Sequence, residues 1–200
     1  MLSVKRRQEY LKYLGYYKGA IDGIVGKGTK KAYKDLQNDY FFRAKDKDGL
    51  YGKNTDILLQ NAYNVKKYTK NFNLKTELSC HCKGKYCTGY PAVYSINALT
   101  YLQDVRNEYG AVSVISPLRC NRQNKLVGGV ANSAHKKGQA FDIQNAKICL
   151  NLTTRKNFID KFIKKSKSVY AYCNRYGKTK YRTTYPKAPG MGKSVHIQTK

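Results

Sequence analysis

Ser133-Ala134-His135-Lys136-Lys137-Gly138-Gln139-Ala140-Phe141-Asp142 brings an imidazole and a carboxylate into one short segment, and Val195-His196-Ile197-Gln198 adds a second imidazole near the end of the chain. The chain has only three histidines, and two of them fall here. Two neutral imidazoles and one carboxylate are a donor set for a zinc ion whose fourth position stays open to water. Asp142 follows His135 by seven residues, so strand alternation alone would not put them on one face. Gly138 between them permits a bend that aims both at one ion. Taken alone, a histidine near an aspartate is more often a surface pair.

The full string has the form S-x-H-x-x-G-x-A-x-D. It resembles the signature of the zinc D-alanyl-D-alanine peptidases that cut bacterial cell-wall peptides, and Val195-His196-Ile197 resembles the strand carrying that family's last ligand. The resemblance implies that His135, Asp142 and His196 bind Zn2+, that Ser133 lies in the substrate site, and that Arg119 grips a substrate carboxylate. A guanidinium suits that task because it offers paired donors and stays charged. The implied fold is α+β with a small antiparallel sheet, of the hedgehog/DD-peptidase type. Carboxypeptidases, L-Ala-D-Glu endopeptidases and cross-bridge endopeptidases all occur among similar proteins.

The chain departs from the family at one place. Relatives often carry an acid a few residues before the last ligand, to take a proton from water and pass it to the leaving amine. Here Lys193 precedes His196 by three, Gln198 stands where an Asp is common, and Lys161–Lys200 holds 11 Lys or Arg and no Asp or Glu. The expected substitutes are Glu77, Asp104, Glu108 or Asp160 brought near by folding, or His81, or a tyrosine of the late loop; no base is assigned. The alternative is a weak or inactive wall-binding relative that keeps its zinc.

Residues 1–64 contain an internal repeat. Asp22-Gly23-Ile24-Val25-Gly26-Lys27-Gly28-Thr29 recurs as Asp48-Gly49-Leu50-Tyr51-Gly52-Lys53-Asn54-Thr55. Each Asp-Gly permits a tight turn, with the Thr expected to cap a following helix. Tyr10, Leu11 and Leu14, then Ala32, Tyr33 and Leu36, then Ile57, Leu58, Leu59 and Ala62 are spaced as helix faces. The expectation is a small three-helix bundle. With Leu14-Gly15-Tyr16-Tyr17-Lys18-Gly19-Ala20-Ile21-Asp22-Gly23, it resembles the peptidoglycan-binding domain found beside wall hydrolases, and Tyr17 and Tyr51 are candidate glycan contacts. Residues 65–71, polar and basic, read as a linker, and 72–200 as the catalytic domain.

Cys80, Cys82 and Cys87, with His81 among them, could hold a second, structural zinc, although C-x-C-x4-C is not a strong ligand spacing. Disulfides with Cys120, Cys149 and Cys173 are the alternative, and reduced thiols the preferred reading. Beyond them, Ala92–Tyr109 reads as a helix with a buried stripe of Ala98, Leu102, Val105 and Tyr109, ended by Gly110. Val112–Ser116 reads as a strand, 121–132 as a loop, Ala140–Ile143 as a strand, and Thr154–Lys165 as a helix. Val169–Tyr172 and Val195–Ile197 supply further strands, and 176–193 a long loop walling a groove.

The formal charge of +27 invites a nucleic-acid reading. The cations are scattered, however, and accompany no helix-turn-helix, finger or stacking motif, so the anionic polymers of a wall are the expected partner and a monomer the expected state. No apolar run is long enough to span a membrane, and Met1–Arg7 leads straight into a charged pattern without an apolar signal core. A wall-acting protein without such a signal would leave its cell by another route, as a phage endolysin does through a holin-type pore.

Overall fold

The computed structural model describes all residues, Met1–Lys200. The N-terminal part is three helices: α1 (Val4–Leu14), α2 (Lys27–Tyr40) and α3 (Lys53–Tyr68). Leu11, Ala32, Tyr33, Leu36, Leu58, Leu59 and Ala62 close its core, so the helical spacing of these apolar residues becomes the packed face.

The sequence repeat has a structural counterpart. The buried Gln8 on α1 donates to Asp22 Oδ1 (2.7 Å) and Ile24 O (3.0 Å), and its Oε1 accepts from Gly23 N (2.9 Å). Gln37 on α2 does the same for the second loop, donating to Asp48 Oδ1 (3.0 Å), Leu50 O (2.9 Å) and Thr55 Oγ1 (2.9 Å) and accepting from Gly49 N (2.7 Å). One buried amide thus satisfies each turn, which would otherwise bring unpaired polar groups into the bundle. The expected threonine caps are corrected here. Gly26 and Gly52 are the N-caps, whereas Thr29 and Thr55 lie inside the first turn and bond back to Ile24 O and Leu50 O.

The expected linker is also corrected at its start, because α3 continues to Tyr68 and buries Val65. Beyond it the two parts are packed together. The buried Asn61 on α3 donates to Ala92 O (2.9 Å) and accepts from Tyr94 N (2.8 Å), and Tyr90 lies against Phe41.

The C-terminal part is α+β. Helix α4 (Ile96–Tyr109) starts four residues later than expected and ends at Gly110. Six strands follow, β1 (Ser113–Ser116), β2 (Ala140–Gln144), β3 (Ser168–Cys173), β4 (Tyr176–Thr179), β5 (Thr183–Thr184) and β6 (Val195–Thr199). They form one antiparallel sheet in the order β1-β2-β6-β3-β4-β5. Helix α5 (Asn121–Leu126) lies inside the stretch expected to be loop, and strands β4 and β5 inside the expected late loop. Apolar alternation is weak in both stretches. Helix α6 (Leu152–Lys164) is held at its start by an Asn151–Thr154 capping box.

Both long helices cover one face of the sheet, α4 against β2 and β6 and α6 against β3 and β4. That face takes Phe141, Ile143, Ala171, Cys173, Val195 and Ile197, all buried. The intervening residues Asp142, His196 and Tyr172 must therefore point to the other side.

Candidate metal centre

Register brings the site together. Ser116 is the pairing partner of Asp142, Asp142 of His196, and His196 of Tyr172, so one rung crosses β1, β2, β6 and β3. The next rung pairs Gln198 with Ala140 and with Tyr170. His135 reaches the same point from a short 3-10 helix, Ala134–Lys137, just before β2. Gly138 ends that turn at φ +68°, a conformation that favours glycine, and a Cβ there would meet Val93 O at 2.4 Å and Tyr94 Cα at 2.8 Å. The bend expected at Gly138 is thus present, with close packing as a second reason for glycine.

The donor atoms of His135, Asp142 and His196 all lie within 4.8 Å of one another, and all three residues are buried. His196 Nδ1 is 2.8 Å from Asp142 Oδ1, and His135 Nε2 is 3.3 Å from both. The outer nitrogens accord with protons on that side: His135 Nδ1 lies 2.9 Å from Pro117 O, and His196 Nε2 lies 3.5 Å from Gln198 Oε1. With those protons outside, two imidazole lone pairs and a carboxylate oxygen face a common point. Three such acceptors could hold a cation, and the donor set fits zinc.

Burial would raise the Asp142 carboxyl, but its close contacts with the His135 and His196 imidazoles outweigh it and hold the group below the usual carboxylate range. Burial lowers His135, against the opposing pull of Asp142, so the imidazole is neutral and ready to ligate.

Arg119 is engaged within the site itself. Its Nη2 donates to Asp142 Oδ2 at 2.6 Å, and its Nε to Ser116 Oγ at 2.7 Å. It therefore orients the Asp142 carboxylate, and it also lines the cleft. Ser133 is buried and lines the same cleft.

The cleft has a volume of about 720 Å³. One wall is Val127–Val130 with Asn132 and Ser133, and the other is Pro186–Ala188 with Gly190 and Met191, so the late segment does form a wall. Asp142 is the only carboxylate among the lining residues. The four acids expected as substitutes lie elsewhere. Glu77 accepts from Asn73 N, Glu108 pairs with Lys161, Asp160 pairs with Tyr176 and Lys178, and Asp104 is on α4 outside the cleft. The late-loop tyrosines are absent from the lining, and Tyr181 and Tyr185 are exposed. The sequence reading missed Tyr170 and Tyr172, on β3. Their alternation with Ala171 and Cys173 was the available signal. Tyr172 stacks on His196 at 4.6 Å, and burial, with the Asp142 charge, pushes its hydroxyl up to about 12.

His81 does line the cleft. Partial burial holds its imidazole below the ordinary histidine value, with Lys83 and Arg119 adding to that and Cys80 opposing it. It is absent from the thiol cluster into which the sequence placed it; the fourth member is Cys120, and all six cysteines are free. The two tyrosines offered as glycan contacts are engaged within their own module, Tyr17 donating to Ala20 O and Tyr51 to Asp56 Oδ1 under the Arg7 guanidinium.

Residues 70–168 match the family model described as Peptidase M15, and residues 2–55 match the one described as "Putative peptidoglycan binding domain". No curated protein matches the chain. The Peptidase M15 match contains His135 and Asp142 and stops before β6, so His196 joins the site by sheet register. The chain thus carries a segment similar to Peptidase M15 behind one similar to a peptidoglycan-binding domain.

Proposed function

We propose that the chain is a zinc-dependent peptidoglycan peptidase that hydrolyses an amide bond of stem peptides or cross-links, with residues 1–64 anchoring it to the wall and 72–200 cutting. The observation that carries this reading is the convergence of three acceptor atoms from His135, Asp142 and His196 at the floor of the cleft. Bound there, zinc supplies Lewis acidity towards a carbonyl oxygen and lowers the pKa of water. The residues do the rest. Arg119 uses its free N–H groups on a substrate carboxylate while holding Asp142, Ser133 and Asn132 line the approach, and Tyr172 holds the His196 ring by stacking on it. His81, the one cleft imidazole outside the ligand set, is assigned the proton transfer from water to the leaving amine. A lytic, endolysin-like setting accords with the pairing of wall-binding and peptidase domains.

The test is metal content together with murein digestion. Wild type should hold zinc at the histidine site and release new amines from purified murein, and His81→Gln should keep that zinc but lower kcat. A second reading rests on Asp142 being the only carboxylate of the cleft. It is a wall-binding protein that holds zinc and cuts nothing, and zinc without products would establish it.

A further inference from the structure

Away from the peptidase centre, four cysteines converge. Cys80, Cys82 and Cys120 are buried and Cys87 half-buried, with all four sulfurs within 4.8 Å of one another and Cys82 Sγ 3.4 Å from Cys87 Sγ. A tetrahedron with zinc–sulfur arms of ~2.3 Å has sulfurs about 3.8 Å apart. Four mutual neighbours at this spacing are the arrangement of a tetrathiolate site, whereas disulfides would draw them into two pairs.

The surrounding backbone is built for thiolates. Gly89 N points at Cys87 Sγ (3.3 Å), Cys120 N at Cys80 Sγ (3.4 Å) and Gln123 N at Cys120 Sγ (3.4 Å). Such N–H···S contacts hold ligand sulfurs in place and favour their charged form. After Cys82 the chain turns sharply through Lys83 (φ 43°) and Gly84 (φ +87°), bringing Cys87 back to the cluster. Four thiolates on a divalent ion leave two net negative charges, and this part of the chain is cationic, with Lys83, Lys85, Arg122 and the Arg43 side chain close by.

We infer that Cys80, Cys82, Cys87 and Cys120 form a second, structural zinc site that clamps the 79–89 loop to the segment following β1. Its position gives it a purpose. Residue 81, between two of the ligands, stands on the cleft wall, and residue 119, next to a third, holds Asp142. The same loop seats the N-terminal module. A Cβ at Gly84 or Gly89 would come within 2.7 Å of Phe42. One ion would therefore fix the wall-binding module, His81 and Arg119 relative to one another.

The full chain, purified under reducing conditions with zinc, should carry two metal equivalents. Cys120→Ser should lose one, while His135→Ala should lose the other. With cobalt in place of zinc, wild type and His135→Ala should show the intense thiolate-to-cobalt charge-transfer band, and Cys120→Ser should lose it. Should Cys120→Ser fail to fold, thiol alkylation of wild type asks the same question: the four cluster cysteines should be protected until a chelator is added. Cys149 and Cys173 should not respond to the chelator. A cobalt-loaded wild type without the band, cluster thiols that alkylate equally with and without metal, or a Cys82–Cys87 disulfide in the isolated protein would overturn the inference. None of these outcomes depends on whether murein is cut.

Discussion

The Arg119 guanidinium is bonded to Asp142 Oδ2 at 2.6 Å, while Asp142 Oδ1 faces both His135 and His196. One carboxylate thus has an outer oxygen fixed by a cation and an inner oxygen turned to the metal position. Residues that support a ligand in this way typically govern metal affinity by about 10- to 100-fold.

Arg119→Ala should therefore weaken zinc at the histidine site by roughly 10- to 100-fold in a competitive chelator titration, besides raising KM. Arg119→Lys should recover part of the affinity but not KM, since an ammonium lacks the paired donors. Zinc affinity equal to wild type in both variants would leave Arg119 a substrate residue only.

Gly138→Ala tests how the ligand turn is set. The left-handed backbone costs a non-glycine residue ~1–2 kcal/mol, and the contact with Val93 O adds to that. The expected result is loss of zinc from the histidine site and a lower Tm, the thiolate-cobalt band remaining. A variant with normal zinc content would show that the turn tolerates a side chain.

In the N-terminal bundle, Gln37→Ala should cost about 1–3 kcal/mol, because it leaves Gly49 N without a partner and removes one donor each from Asp48 Oδ1 and Leu50 O. Gln8→Ala should cost the same in the other loop. Denaturant unfolding of each variant measures it, and a loss under half a kcal/mol would mean that water replaces the amide.

Wall binding should weaken steeply as salt rises, because the attraction between a chain of +27 and anionic wall polymers is screened within about 10 Å at 0.1 M. Sedimentation with purified walls at increasing salt gives the slope. DNA should bind less tightly than walls at each salt concentration, and the reverse order would point to a nucleic-acid partner.

Much of the site was legible because a short string carries it. His135, Gly138 and Asp142 are close in sequence, and two of the three histidines occur in the two segments that converge on the site. The three helices were legible from apolar spacing. The buried amides were not, since Gln8 and Gln37 look like surface residues in a helical pattern and are explained only by the turns they face. Cys120 was separated from its cluster by 33 residues of chain after Cys87, a distance that only the packing of the 79–89 loop closes. The expected acid substitutes lie away from the cleft because each is on a helix surface or in a loop with a partner of its own. Strands β4 and β5 were missed because their Gly, Lys and Thr residues give no apolar alternation.

The most direct test is mass spectrometry of purified murein incubated with zinc-loaded wild type and with His135→Ala. Wild type should yield muropeptides with one newly freed amine and carboxyl per cut, and His135→Ala should yield none while still sedimenting with walls. Equal digestion by both proteins would contradict a peptidase centre built on His135, Asp142 and His196.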